Sequence, residues 1–315
     1  MAFFSSRGRT PRLAPELDDA DLGKLLKRLV SMARTNTAGT ADLCVAQIAR
    51  LLEQDPGDFD RRAHRLSVLA GFLSESYLPA AWAKREPRNA SALLLQSWCE
   101  LEEGRVSGGL QDAAVVWKRC LLVADIAPQD PAPWVVLLGV ARLAGCARQD
   151  VYAIWNEIVT RDRWHREAYL SMLAYLSPQE SGSHAQMLEF VDSVRTHMPA
   201  NAPCAAVELT AHIMQFHAAV SRGGAVGLLA GNHWKGVQAA ELLERARVTW
   251  PQETFFSHAA AIADLNLLAY ALTAANRRRE AAPLFEAIDG RVTSWPWRSE
   301  GDPLAVFESA RNKAR

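Results

Sequence analysis

Glu208, His212 and His217 come nearest, in this 315-residue chain, to a set that could do acid–base or metal chemistry. On a helix Glu208 and His212 lie one turn apart and share a face, whereas His217, five positions past His212, is rotated well away. With nearby aromatics, the three residues define a possible pocket for a small molecule or for proton transfer. A metal is not expected there, because the chain has no HExxH motif and a distant ligand would have to complete the set. The GxSxG elbow, the phosphate-binding GxxxxGK[ST] loop and the dinucleotide loop GxGxxG are all missing as well, so no catalytic residue and no cofactor is assigned.

Two further groups suggest binding. The stretch Arg222–Gly236 holds five glycines and carries His233, Trp234 and Lys235. Such composition ordinarily gives a flexible connector, but a polar and aromatic tip is also how many binding loops look. The basic clusters Arg277, Arg278, Arg279 and Arg311, Lys313, Arg315 read as a solvated turn and a frayed tail, or as guanidinium sites for an acidic peptide or a phosphate. Asp18, Asp19, Asp21, Glu102 and Glu103 fall at helix ends or on polar faces, where solvation and the helix dipole account for them.

Composition restricts the function classes. Lys plus Arg and Asp plus Glu number 35 each, so no broad nucleic-acid footprint is expected. Apolar residues make up 49% of the chain, enough for a large core. Cys44, Cys99, Cys120, Cys146 and Cys204 are scattered and odd in number, and four of them fall in or beside helices among apolar neighbours, which predicts reduced core thiols and a cytoplasmic protein. Neither a signal peptide nor a membrane span is expected from the apolar pattern.

The elements that position these residues read as helices throughout. Apolar side chains recur at 3.6-residue spacing, and no sustained alternation of the β type competes. Two segments nearly repeat: Asp112–Leu143 and Gln149–Leu176. Trp117 and Trp155 lie 38 apart in sequence, and Trp134 and Tyr169 lie 35 apart. Each is an amphipathic helix, a polar turn and a second helix opening on an aromatic, the signature of stacked helix pairs. Trp117, Trp134, Trp155, Trp164 and Tyr169 are accordingly expected in the packing between pairs. About 12 helices are predicted. Residues 1–15, with Pro11 and Pro15, read as a flexible leader; 16–221 as an irregular hairpin array; 222–236 as the glycine-rich connector; and 237–315 as further hairpins with a capping helix.

The segment Asn266–Ile288 (NLLAYALTAANRRREAAPLFEAI) resembles a tetratricopeptide repeat. Asn276 occupies the turn where that family usually has glycine, and Ala281 and Ala282 stand where small residues allow close helix contact. Ala239–Glu253 is similar to another second helix with its proline turn. The middle of the chain, through Ala92–Trp98, Ala127–Leu143, Arg161–Pro178 and Gly182–Phe190, resembles an actinobacterial domain of unknown function in the 4034 series. These resemblances imply an all-α, right-handed α–α solenoid of irregular hairpins. The expected function is an interaction or scaffold module that binds a peptide or protein partner on its helical surface. The alternative is an enzyme or small-molecule binder with a pocket inside the array.

Overall fold

The computed structural model describes residues 9–33, 38–252 and 254–314. The fold is all-helical: sixteen α-helices occur among the described residues, with one pair of two-residue strands. Sixteen rather than about 12 helices form, one of them a six-residue helix at Gly224–Leu229 inside the stretch expected as a connector. None of the helices is long and apolar enough to cross a membrane. The chain divides into two compact units, one from Asp19 to Gly182, the other from Ser183 onward together with the residues up to Asp18. The division falls at the Ser177–Ser183 joint, whereas residues 222–236, expected as a connector, lie inside the second unit.

The first unit runs α1 (Ala20–Ala33), α2 (Ala38–Leu52), α3 (Phe59–Leu73), α4 (Leu78–Arg85), α5 (Ala90–Ser107), α6 (Ala113–Ile126), α7 (Ala132–Leu143), α8 (Arg148–Arg161) and α9 (Arg166–Tyr175). The two near-repeats are the hairpins α6–α7 and α8–α9. Local chemistry sets the starts: the side chains of Asp58, Asn89 and Asp112 accept a backbone N–H from the first turns of α3, α5 and α6. Leu66, Leu94, Leu137 and Leu173 are fully buried at the centre. Trp155 meets Tyr169 edge-on at 4.9 Å and Trp164 lies 5.9 Å from the same ring, so these aromatics pack α8 onto α9.

Charged groups also hold this unit together. Arg65 Nε donates to Asp19 at 2.7 Å and its Nη1 donates to the Leu51 carbonyl at the end of α2. Arg62 joins Asp130, Ser91 and the Leu52 carbonyl. The two arginines therefore satisfy carbonyls that the end of α2 leaves without helical partners. Cys99 and Cys120 are buried, and burial pushes both thiols up to about 12, as inert small apolar groups.

The second unit contains α10 (His184–Arg195), α11 (Val207–Arg222), α12 (Gly224–Leu229), α13 (Val237–Thr249), α14 (Ala261–Ala274), α15 (Arg278–Ile288) and α16 (Pro303–Ala314). The Ser183 side chain accepts the Gln186 N–H and caps α10. Residues Ala230–Lys235 form a 3-10 turn rather than an open loop. Gly223 and Gly224 have φ of 64° and 55°, which lets the chain reverse directly from α11 into α12. Strand β1 (Arg12–Leu13) pairs in parallel with β2 (Arg291–Val292), so the described part of the expected leader is tied to this unit; residues 1–8 lie outside the described residues. Leu268, Tyr270, Phe285, Trp297 and Phe307 form the heart of its core.

Candidate functional site

The candidate site is a cavity of about 550 Å³ bounded by the end of α14, the start of α15, the 297–302 turn and α16. Its position follows from the hairpin formed by α14 and α15. Asn276 adopts φ of 61°, the left-handed turn anticipated at this position, and Arg277 N–H closes back on the Leu272 carbonyl at 2.8 Å. This turn starts α15 at Arg278, beside the cavity. Opposite, Asp302 caps α16 through the Ala305 N–H at 2.9 Å, and Ser309 and Lys313, one turn apart, share the lining face.

Tyr270 and Trp297 form the apolar base, their rings edge-on at 5.3 Å. The Trp297 indole N–H donates to Asn266 Oδ1 at 3.0 Å, which fixes its ring from behind. The Tyr270 hydroxyl donates to Glu300 at 2.6 Å and stands 2.8 Å from His217 Nε2. Ser299 Oγ is 2.9 Å from the same nitrogen and donates its own proton to the Pro296 carbonyl at 2.7 Å. Both hydroxyl protons are thus committed elsewhere, so His217 serves as the donor through Nε2–H to two oxygens. In this arrangement the imidazole orders the wall of the cavity and does not draw a proton from Ser299. Burial lowers the pKa of His217, with partial opposition from Glu300, and burial followed by the Glu300 bond raises that of Tyr270.

The charges lining the cavity differ in how they are engaged. Glu300 accepts from Tyr270 through Oε1, and Asp302 caps α16 through Oδ1. Arg278 and Lys313 line the same cavity, are exposed, and have no ion-pair partner among the described residues. The two basic clusters singled out in the sequence thus each contribute one residue to one site. Their other members are placed differently. Arg277 bonds Glu280 at 2.7 Å and Glu244 at 2.8 Å in a network with Arg247, which holds Glu244 down at about 2. Arg279 is exposed away from the lining, Arg311 donates to the Arg9 carbonyl at 3.0 Å, and Arg315 lies outside the described residues.

The pocket expected from Glu208, His212 and His217 does not converge. Glu208 faces Arg245 at 3.4 Å and Arg195 at 3.8 Å; burial raises its pKa and the arginines partly restore it. His212 Nδ1 instead meets His233 Nε2 at 3.2 Å. Trp234 is buried against Phe216, 5.6 Å between rings, so of the three tip residues only Lys235 is exposed, bonded to Asn232. The expected binding tip is therefore folded onto α11. Among the described residues, no group of three or more His, Cys, Asp or Glu could hold a metal ion.

The burial of His212 makes stability depend on pH. Burial, and then the neighbouring imidazole, lowers His212 to about 4 from an ordinary 6.5. The unfolded chain binds a proton between these values and the folded chain does not, so stability falls as pH drops below 6.5. A loss of about 2 kcal/mol is expected between pH 7 and pH 5. Urea midpoints over that range should decline in the wild type and decline less in His212→Gln; parallel slopes would reject the assignment.

Tyr270, Trp297, Glu300 and Asp302 were not singled out as site residues in the sequence. Tyr270 falls within the Asn266–Ile288 segment that resembles a repeat, and no pattern in the sequence marks the other three. Comparison of the chain with protein families, curated proteins and solved structures finds no match.

Proposed function

We propose that this chain is a helical-repeat interaction module, built of right-handed α–α hairpins, whose second unit takes an acidic segment of a protein partner into the cavity between α14, α15 and α16. The observation that carries this reading is the meeting of Arg278 and Lys313 at one cavity, while the two carboxylates there already accept from Tyr270 and from the α16 backbone. A guanidinium at one side and a flexible ammonium at the other suit a carboxylate-bearing peptide. The apolar base of Trp297 and Tyr270 would accept an aliphatic or aromatic side chain next to the acid. The resemblance of α14–α15 to a tetratricopeptide hairpin favours the same class of function. An enzyme or small-molecule pocket built on Glu208, His212 and His217 has less support, since each of the three is engaged with different groups.

Peptides selected by phage display on the wild-type protein should be enriched in Asp and Glu. Their affinity should fall about tenfold or more in Arg278→Glu/Lys313→Glu, at roughly 1 kcal/mol for each reversed charge. It should also weaken as NaCl is raised, because both cations are exposed. Selected peptides that bind the double variant as tightly as the wild type would reject this site.

A further inference from the structure

We propose that α6 is a self-association surface, by which two copies of this chain pair antiparallel about a two-fold axis passing between Leu121 and Leu122. Helix α6 keeps Val116, Cys120 and Val123 inside, yet its opposite face carries Val115, Leu121, Leu122 and Ile126 at 47, 38, 42 and 41% exposure. Four large apolar side chains on the outer face of one fourteen-residue helix form a patch of the kind that marks an interface. Lys118 and Asp125 lie along the same face, both exposed and both without an ion-pair partner among the described residues. They are seven positions apart, about 10 Å along the axis, too far to pair with each other.

These two charges identify the occupant. Positions 118 and 125 are equidistant from the midpoint of 121 and 122. An antiparallel copy centred there sets Lys118 opposite Asp125 of the second copy, and Asp125 opposite Lys118 of the second copy. The same placement brings Leu121 against Leu122 of the second copy. Pairing in parallel and in register would set lysine against lysine, which costs energy. The face is therefore complementary to itself only in the two-fold arrangement, the commonest symmetry of protein dimers. A contact centred on one helix of about 21 Å is small, so the dimer belongs with weak, reversible ones.

Sedimentation velocity of the full chain from 1 to 200 µM tests this. The wild type should pass from monomer to dimer across the range. Lys118→Asp should weaken the dimer at least tenfold, and so should Asp125→Lys, because each variant faces its own copy with like charges. An equimolar mixture of the two variants should dimerise again, since the mixed pair recreates both salt bridges; that recovery also shows that both variants are folded. A wild type that remains monomeric at 200 µM would overturn the proposal and leave the face to a partner of different sequence. Single variants that dimerise like the wild type, or a mixture that stays monomeric, would equally overturn it.

Discussion

Replacing Asp19 with alanine is expected to destabilise the unit from Asp19 to Gly182 by about 4 kcal/mol, a large part of the 5–15 kcal/mol typical of a domain. Asp19 does two things. Its Oδ1 accepts the Leu22 N–H at 2.9 Å and caps α1, and its Oδ2 accepts from Arg65 at 2.7 Å, with Arg61 at 3.8 Å. Both side chains of the Asp19–Arg65 pair are almost wholly buried, 3% and 6% exposed. Loss of the cap costs about 1 kcal/mol. The larger part comes from leaving a buried guanidinium without its counter-charge, about 3 kcal/mol or more. Asp19→Asn keeps an acceptor for the cap and should therefore lose less. Burial by itself would raise the Asp19 pKa, but the Leu22 N–H and Arg65 together hold it below the usual carboxylate range. A depressed carboxylate contributes stability above its unfolded value near 4, and that contribution is lost as pH falls through the lower folded value. Hydrogen exchange of α1 and α3 amides in the two variants checks the magnitude. Wild-type protection in Asp19→Ala would show that the pair holds nothing together.

Gly182→Ala is expected to cost about 3 kcal/mol in the same unit, at the upper end for an added methyl group. A Cβ at this position would lie 2.1 Å from the Leu176 carbonyl oxygen and 2.4 Å from its carbon. Those atoms belong to the backbone and cannot rotate aside. The turn they form is already closed by the Gly182 N–H on the Ser177 carbonyl and the Ser181 N–H on the Tyr175 carbonyl, both at 3.1 Å. Relieving the clash means opening that turn and freeing the end of α9. At about 2–4 °C per kcal/mol for a unit of this size, the transition should fall by roughly 6–12 °C. Gly39→Ala is the control, because nothing lies within 4 Å of a Cβ there, and its midpoint should not fall. Equal midpoints for the two variants would contradict the packing described for the Ser177–Gly182 turn.

What could be read from the sequence was local. Helical periods and the turn at Asn276 each depend on a few neighbouring residues, and each is found where the pattern puts it. The buried state of four of the five cysteines follows from the same periods, whereas of the five hairpin aromatics only Tyr169 is buried and Trp117, Trp134, Trp155 and Trp164 are half-buried. The pairings that make the site are of another kind. Tyr270 reaches Glu300 across 30 positions, His217 reaches Tyr270 across 53, and His212 reaches His233 across 21. No period relates such residues, because the packing of helices onto one another sets their distances. The glycine-rich stretch misled for a related reason. Its glycines suggest freedom, but Trp234 finds a buried place against Phe216 and His212, and that burial outweighs the flexibility of the backbone around it. Of the basic clusters, composition gave the members, but only the fold separates Arg277, tied to Glu244 and Glu280, from Arg278 at the cavity.

The central claim, that an acidic segment enters the cavity between α14, α15 and α16, is tested most directly by hydrogen–deuterium exchange of the full chain with and without a saturating acidic peptide from the selection. Exchange should slow in the segments Tyr270–Arg278 and Glu300–Lys313, and the slowing should vanish in Arg278→Glu/Lys313→Glu. Protection at Arg222–Gly236 or along α6, with those two segments unchanged, would contradict the account and place the partner elsewhere.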